Sequence, residues 1–372
     1  MTPRRSLPLR RVDGYLPIED HGLIGDGAAA ALVGRDGAVS WLCIPRFDSP
    51  PLFCGLVDRV RGGAVTVAPE PLLDSRQWYE EDSAVLLTEL RGPDGTVQIT
   101  DALTLRAGAD LTEDAPAGRG ELLRYATVPH GRARLRVELK PGTAPSPPDA
   151  EGLALRLRTR PGLALHLASS RPLQGLRSSV ELVAGDRLDL VLGWGGDSMF
   201  ARRSLEQRLE ATRAAWRGWL DCFHYSGPRE PLVRRSAITL KLCDHFANGA
   251  MVAAAISSLP EAVGGTRNWD YRYTWIRDAA FSVYALRRVG LASEAWAFLA
   301  WVLALVQGGS RPAVLYDVDG RVPAEEWIDP QLEGYRAPAP VRWGNAAGEH
   351  TSTTSSARSW TALTSWPQAA GS

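Results

Sequence analysis

Hydrophobic and polar positions alternate with period two along much of residues 13–200, and then switch to a helical period. Short apolar stretches such as AVSWLCI (38–44) and AVLLTEL (84–90) adjoin turn chemistry, here Gly34-Arg35-Asp36-Gly37 and Pro93-Asp94-Gly95. The series continues through VQITDAL, LLRYATV, ARLRVEL, LALRLR, LALHLAS, VELVAG and LDLVLGW. Ala133, Leu135, Val137 and Leu139 fall on one face, with Arg134, Arg136, Glu138 and Lys140 on the other, so one face is wet. Many short strands with Gly, Pro and Asp turns predict an antiparallel β-sandwich. Residues 141–152, PGTAPSPPDAEG, read as a Pro-rich surface loop.

Near residue 201 the spacing becomes helical. Leu205, Leu209, Trp216 and Leu220 lie on one stripe, with the small Thr212 in the intervening turn, which predicts an amphipathic helix connecting two domains. A second helix is expected over 230–246, with Leu232, Ala237, Leu240 and Cys243 on adjacent turns. Pro260 and the pair Gly264-Gly265 break the pattern. A third helix is expected over 279–289, and a fourth from Ser293 with Trp296, Leu299, Leu303 and Val306 on one side. Paired helices with polar residues at their starts predict a helical-hairpin barrel whose rim loops form a pocket.

Composition adds little to this and excludes a good deal. The 372 residues allow two domains with two cores, and 45% hydrophobic with 23% charged residues is ordinary for a soluble globular protein. Charges balance at 42 against 42, so no global field draws the chain to nucleic acid or an anionic membrane. No apolar run reaches the ~20 residues of a membrane span. The basic start has no apolar segment behind it and does not read as a secretory signal, so a cytoplasmic location is expected. Cys43, Cys54, Cys222 and Cys243 show no metal or redox spacing and read as lone buried thiols. The six histidines are scattered, so neither a metal nor a cofactor is expected. The glycines in IEDHGLIGDG are a weak nucleotide signal without GxGxxG or a Walker lysine, and read as a turn-rich strand entry.

Thirteen tryptophans are unusual, and the densest polar-aromatic stretch is RNWDYRYTWIRDAAF, residues 267–281. Flat rings beside carboxylates and guanidinium groups suit a sugar, whose C–H faces stack and whose hydroxyls need charged partners. The alternative from composition is an aromatic packing seam with satisfied ion pairs. The loop over 311–346, with LEGYRAPAPVRWGNA, continues the theme.

IEDHGLIGDG, DGAVSWLCIPRFDSP, SLPEAVGGTRNWDYRYTWIRDAAF and LEGYRAPAPVRWGNAA together resemble glycoside hydrolase family 15, in its bacterial glucoamylase-like and α,α-trehalase-like branch. The resemblance runs to about Glu349. It implies an N-terminal antiparallel β-sandwich (1–200), a linker helix (201–224) and an incomplete (α/α)6 barrel (225–349), followed by an aberrant, disordered tail (350–372). The implied chemistry is inverting hydrolysis of α-glucosidic bonds in trehalose or malto-oligosaccharides. In such chemistry an acid and a base lie ~6.5–9.5 Å apart across the sugar. Carried over by position, Arg277 and Asp278 clamp hydroxyls of the terminal glucose. Tyr271 and Tyr273 line that subsite, Trp275 forms part of its wall, and Tyr335, Arg336 and Arg342 match polar pocket positions. The implied partner is a small carbohydrate, and oligomeric state is left open.

The sequence departs from the family pattern after Gly344-Asn345-Ala346-Ala347. The resemblance implies a general acid in a YGEVLDAL-like segment there, but GEHTSTTSSARSWTALTSWPQAAGS follows, with Arg358 near the acid's position. Written in GC-rich codons and read two bases later, TSTTSSARSWT becomes QHDVVGEVLD, which restores a glutamate. The implied general base lies beyond Ser372, and only three or four barrel helices are expected. No catalytic residue is therefore assigned, and Glu325, Glu326, Glu333 and Glu349 are ordinary loop carboxylates. The chain is expected to be an inactive glycosidase, or alternatively a non-catalytic carbohydrate-binding or interaction module built on the sandwich.

Overall fold

The computed structural model describes residues 6–140, 142, 149–151, 154–158, 163–194, 202–306, 313–323, 325–336 and 339–350. Most of the Pro-rich segment and all of the tail after 350 lie outside them. Fifteen described strands form one antiparallel array that curls into two layers. The first layer runs in the order Leu7–Pro8, Asp74–Tyr79, Leu86–Arg91, Gly95–Leu105, Gly118–Lys140, Arg187–Gly193, Ala164–Ser169, Ala154–Arg158, Asp149–Glu151. The second joins His21–Gly25, Ala30–Gly34, Ala38–Cys43, Ala64–Pro69 and Arg177–Val183, with Pro51–Phe53 beside Ala38–Cys43.

Both layers share the 23-residue strand Gly118–Lys140. Its first half pairs Leu122 with Leu192 and Leu103, and its second half pairs Leu135 with Pro69 and Val180. Between these halves the register slips from Thr127 to His130 and Gly131 takes φ 75°, where a Cβ would meet the Asp94 carbonyl oxygen at 2.1 Å. A bulge of this kind bends a strand. The pattern's two separate strands, LLRYATV and ARLRVEL, are thus one strand that changes layer without a loop. Ala133, Leu135, Val137 and Leu139 are buried as the alternation predicts, while Arg134 and Lys140 are exposed. Between the layers Arg124 makes a bidentate pair with Asp101 (2.6 and 3.2 Å). It also donates to the carbonyls of Val65 and Gly37, so the buried charge is fully hydrogen-bonded.

Helix α1 (Arg202–Leu220) lies against the first layer, with Leu205 on Leu123 and Val191 and Leu209 on Val85 and Ala102. Thr212, the polar residue on its apolar stripe, has a defined task. Its hydroxyl accepts from Leu105 N (2.9 Å), the last residue of a strand, and donates to the Arg208 carbonyl (2.8 Å). Three helices follow: α2 (Glu230–Lys241), α3 (Ile276–Arg288) and α4 (Ser293–Val306). They form part of a helical barrel. None of the described helices is long and apolar enough to cross a membrane.

Helix α2 ends five residues before the expected Phe246, because Lys241 is drawn into the core. There its Nζ meets Asp244 (2.7 Å) and Glu294 of α4 (2.8 Å), while Trp219 of α1 donates to the same Glu294 oxygen (2.7 Å). The chain then turns and pairs Asp244–His245 with Ala250–Met251. Cys43 and Cys54 are buried as expected, but Cys222 is exposed, since it lies in the turn leaving α1.

The IEDHGLIGDG stretch is a strand and hairpin tip pressed into the junction with the helices. Gly27 takes φ 79° and its carbonyl accepts from Phe246 N (2.9 Å), and a Cβ on Gly27 would sit 2.0 Å from the Phe246 ring. Only glycine fits there. Beside it Asp26 is buried and accepts from Ala28 N and Ala29 N, and burial raises its carboxyl to about 6. A raised folded pKa means the folded state holds the proton more tightly. Stability is therefore lost as pH rises from about 4 to about 6, and the loss persists above that. Asp26→Asn keeps an acceptor for both amides and removes the titration. Its melting temperature should match the parent at pH 4 and exceed it at pH 8, by an amount worth roughly 1–3 kcal/mol in a thermal scan.

Candidate functional site

The stretch 267–281 is held as an extended segment against 253–258 before it enters α3. Ala253 N and Ala254 N donate to the carbonyls of Tyr273 and Tyr271, and Ser258 N to that of Trp269. Extended backbone sends successive side chains to opposite sides. Asn268, Asp270, Arg272, Thr274 and Ile276 are accordingly buried, while Trp269, Tyr271, Trp275 and Arg277 reach the other side with part of their surface exposed. The packing-seam reading of the composition thus describes the inward row, while the outward row keeps its rings and charges partly exposed.

The inward row is a seam between sandwich and helices. Arg272 pairs with Asp270 (Nε–Oδ1 2.9 Å, Nη2–Oδ2 2.7 Å), and its Nη1 donates to the carbonyls of Ser49 (2.7 Å) and Phe47 (3.3 Å). Burial works against the charge of Arg272, but Asp270 outweighs it and holds the guanidinium far above its ordinary value. Asp270 Oδ2 also accepts from Gly344 N (3.3 Å), and Asn345 donates to the Asp270 carbonyl (2.9 Å), which ties in the GNAA motif. Trp343 stacks between Arg272 and Trp41, whose Nε1 donates to the Ala255 carbonyl (2.8 Å). The sequence offered one signal for this role, the Asp-x-Arg spacing within an alternating row.

The outward row brings together four of the expected site residues. Tyr271 and Trp275 have ring centroids 6.2 Å apart, tilted by 47°. Thr274–Trp275 pairs with Leu315–Tyr316, which fixes Trp275 as the residue before α3. Arg277 and Asp278 occupy the first turn of α3, where a carboxylate is favoured by the helix dipole, and pair with each other at 3.2 Å. Both side chains are about half exposed, so this ion pair is open to a ligand. The Tyr271 phenol is raised by burial, with the negative charges of Glu261 and Asp278 adding to it.

The other four expected residues lie elsewhere. Tyr273 is buried beneath the row, and burial followed by Asp270 raises its phenol. Tyr335 is buried edge-on against Tyr15 of the sandwich (5.2 Å), and Arg336 pairs with Asp13 (3.0 Å). These two join the loop to the sandwich. Arg342 forms a neighbouring cluster: it pairs with Glu326 (2.8 Å), stacks over Trp269 (4.9 Å) and is held by Ser257 and Ser258, which both donate to its carbonyl. Ser258, with φ 64°, also accepts from Arg342 N (2.7 Å). Trp269 lies in the stretch that the sequence marked but was given no role, and Glu326 was read as an ordinary loop carboxylate, because only the hairpin Trp327–Asp329/Val341–Trp343 brings them to Arg342. Among the described residues no group of three His, Cys, Asp or Glu side chains could hold a metal.

The family model described as "Trehalase-like, N-terminal" matches residues 11–211, and "Glycosyl hydrolases family 15" matches residues 227–351. The chain belongs to glycosyl hydrolase family 15. A trehalase of Thermoplasma volcanium is 30% identical over 355 residues, covering 90% of this chain and 55% of the relative. A trehalase of Mycolicibacterium smegmatis is also 30% identical, over 366 residues, covering 90% and 54%. The crystal structure of a bacterial glucoamylase complexed with acarbose superimposes with a TM-score of 0.55 at 14% identity, covering 86% of this chain and 55% of that one. That likeness speaks for the fold, sandwich and partial barrel together. This family 15 chain spans about half the length of the relatives it matches.

Proposed function

We propose that this family 15 chain carries the sugar-holding side of a trehalase-type pocket. Arg277 and Asp278 hold hydroxyls of a terminal α-linked glucose, while Tyr271 and Trp275 form the wall on which its ring packs. The observation that carries this reading is the half-exposed Arg277–Asp278 pair standing beside two adjacent rings. A planar guanidinium and a carboxylate offer donors and acceptors to vicinal hydroxyls, and rings take the C–H faces. The trehalases among its relatives favour trehalose over malto-oligosaccharides as the ligand. Arg342 and Trp269 flank the pocket, and Tyr335 and Arg336 support its loop. The division into a sandwich (1–200), a linker helix (201–224) and a partial barrel (225–349) is part of the same reading.

Hydrolysis with inversion needs an acid and a base on opposite sides of the bond. The pocket row contains one carboxylate, Asp278, already engaged with Arg277. The 372-residue chain alone should therefore bind sugar without turning it over. Titration calorimetry with trehalose and maltose tests this. Saturable binding is expected, weakened at least tenfold by Asp278→Ala, since a charge-assisted hydrogen bond is worth ~1.5–3 kcal/mol. Unchanged binding in that variant overturns the clamp. Release of glucose from trehalose, abolished by the same substitution, overturns the inactive state.

A further inference from the structure

A cavity of about 230 Å³ lies between the sandwich and α2, and none of its lining belongs to the stretch 267–281. It is bounded by the turn before His21–Gly25, by the strand Asp74–Tyr79 with the residues that follow it, and by α2. Leu86, Pro231 and Ile238 give it an apolar wall. Arg235 of α2 reaches into this cleft: its guanidinium lies over the Tyr79 ring (3.9 Å), and Nη1 donates to the Ser83 carbonyl (2.8 Å). Tyr79 is itself fixed, donating to the Leu23 carbonyl (2.9 Å) and accepting from Leu23 N (2.7 Å). The Nε and Nη2 atoms of Arg235 are buried and meet no acceptor among the described residues. Those two atoms form the bidentate edge of a guanidinium, the edge with which Arg124 and Arg272 grip Asp101 and Asp270. Burial accordingly holds the Arg235 guanidinium below its ordinary value.

The neighbouring charges decide what that edge can take. Of the carboxylates lining the cavity, Glu80 pairs with Arg213 (2.7 Å) and Asp82 with Arg234 (3.4 Å). Glu19 and Glu81 are exposed and make no ion pair among the described residues. His21 also lines the cavity, and burial holds it below its ordinary value, so it adds no charge at neutral pH. A dianion such as phosphate would be drawn by one cation and repelled by two carboxylates, whereas a ligand carrying both signs meets each group with its opposite. We infer that this cavity binds a free α-amino acid with an apolar side chain. Its carboxylate takes the Nε–Nη2 edge of Arg235, its ammonium faces Glu19 and Glu81, and its side chain lies against Leu86, Pro231 and Ile238. The edge is shielded from water, so a turn of the outer Arg235 torsions brings it to the carboxylate, and its desolvated N–H groups gain the acceptors they lack. The volume falls below the roughly 300 Å³ at which pockets for drug-sized ligands begin, which suits a single amino acid better than a peptide. No residue of the proposed sugar pocket takes part.

Titration calorimetry of the full chain with L-phenylalanine, phenethylamine, 3-phenylpropionate, inorganic phosphate and trehalose tests this. Saturable one-to-one binding of L-phenylalanine is expected. Phenethylamine, which lacks the carboxylate, should bind about tenfold more weakly, and 3-phenylpropionate, which lacks the ammonium, about threefold more weakly. Arg235→Lys keeps the charge but loses the fork, and should weaken L-phenylalanine about tenfold. Glu19→Gln combined with Glu81→Gln changes only exposed side chains and should weaken it about threefold. Neither phosphate nor an excess of trehalose should displace it. Absence of L-phenylalanine binding, or equal binding of either analogue, overturns the assignment. Displacement by phosphate overturns it as well, and so does displacement by trehalose, since the ligand then sits in the sugar pocket. The analogue series is read on the parent chain, so it decides the question even where Arg235→Lys fails to fold.

Discussion

Asp270→Ala should destabilise the protein by about 3–5 kcal/mol in denaturant unfolding, whereas Asp278→Ala should cost no more than about 1 kcal/mol. The two aspartates sit in one stretch of sequence, and each neighbours an arginine, yet they face opposite ways. Asp270 is fully buried, and its removal leaves the Arg272 guanidinium without its counter-ion in the core and Gly344 N without its acceptor. Removing one partner of a buried pair costs far more than the pair contributes, because the remaining charge is left desolvated. Asp278 is half exposed, and its pairing with Arg277 is screened by water. Asp270→Asn separates the terms: it keeps hydrogen-bond acceptors but loses the charge, and should fall between the parent and the alanine variant. Equal loss of stability at 270 and 278 would refute the two-sided description of the stretch.

Lys241→Met should cost a similar amount at pH 7, and the deficit should shrink as the pH is lowered. Burial opposes the charge of Lys241, but Asp244 and Glu294 outweigh it and hold the ammonium above its ordinary value. Burial likewise pushes Glu294 upward, and Lys241 outweighs that and holds its carboxyl below the ordinary range. In the parent, a depressed glutamate contributes stability above its unfolded pKa that is lost as pH falls through the folded value. Burial already holds the Asp244 carboxyl above its ordinary value despite Lys241, and without the lysine the buried Glu294 facing it rises as well. The sign then reverses, so the variant becomes more stable toward acid and less stable toward neutral pH. Urea unfolding of parent and variant at pH 4.5 and pH 7.5 checks this, and a deficit independent of pH would exclude the electrostatic account.

The sandwich was readable from sequence because each half-buried strand writes its two faces into alternate residues, as Ala133 to Lys140 do. That Gly118–Lys140 serves two layers was not readable, since a bulge leaves no mark on hydrophobic alternation beyond one glycine. The site was half legible. Tyr271, Trp275, Arg277 and Asp278 come together because they are close in sequence. Tyr335 and Arg336 depart to the sandwich because their partners, Tyr15 and Asp13, lie more than three hundred residues away. Local spacing also could not tell which row of 267–281 faces inward, because the backbone partners at 253–258 decide it.

The contacts of Arg272 on the Ser49 and Phe47 carbonyls have one more implication. Arg272 sits directly beside Tyr271 in the chain, so the segment IPRFDSP of the sandwich sets the height at which the outward rings stand. On the reading proposed above, substitutions in that loop change the width of the sugar pocket through Arg272 rather than through a contact with the sugar. Among relatives of this architecture, differences in sugar preference should be sought in that sandwich loop as well as around the pocket itself.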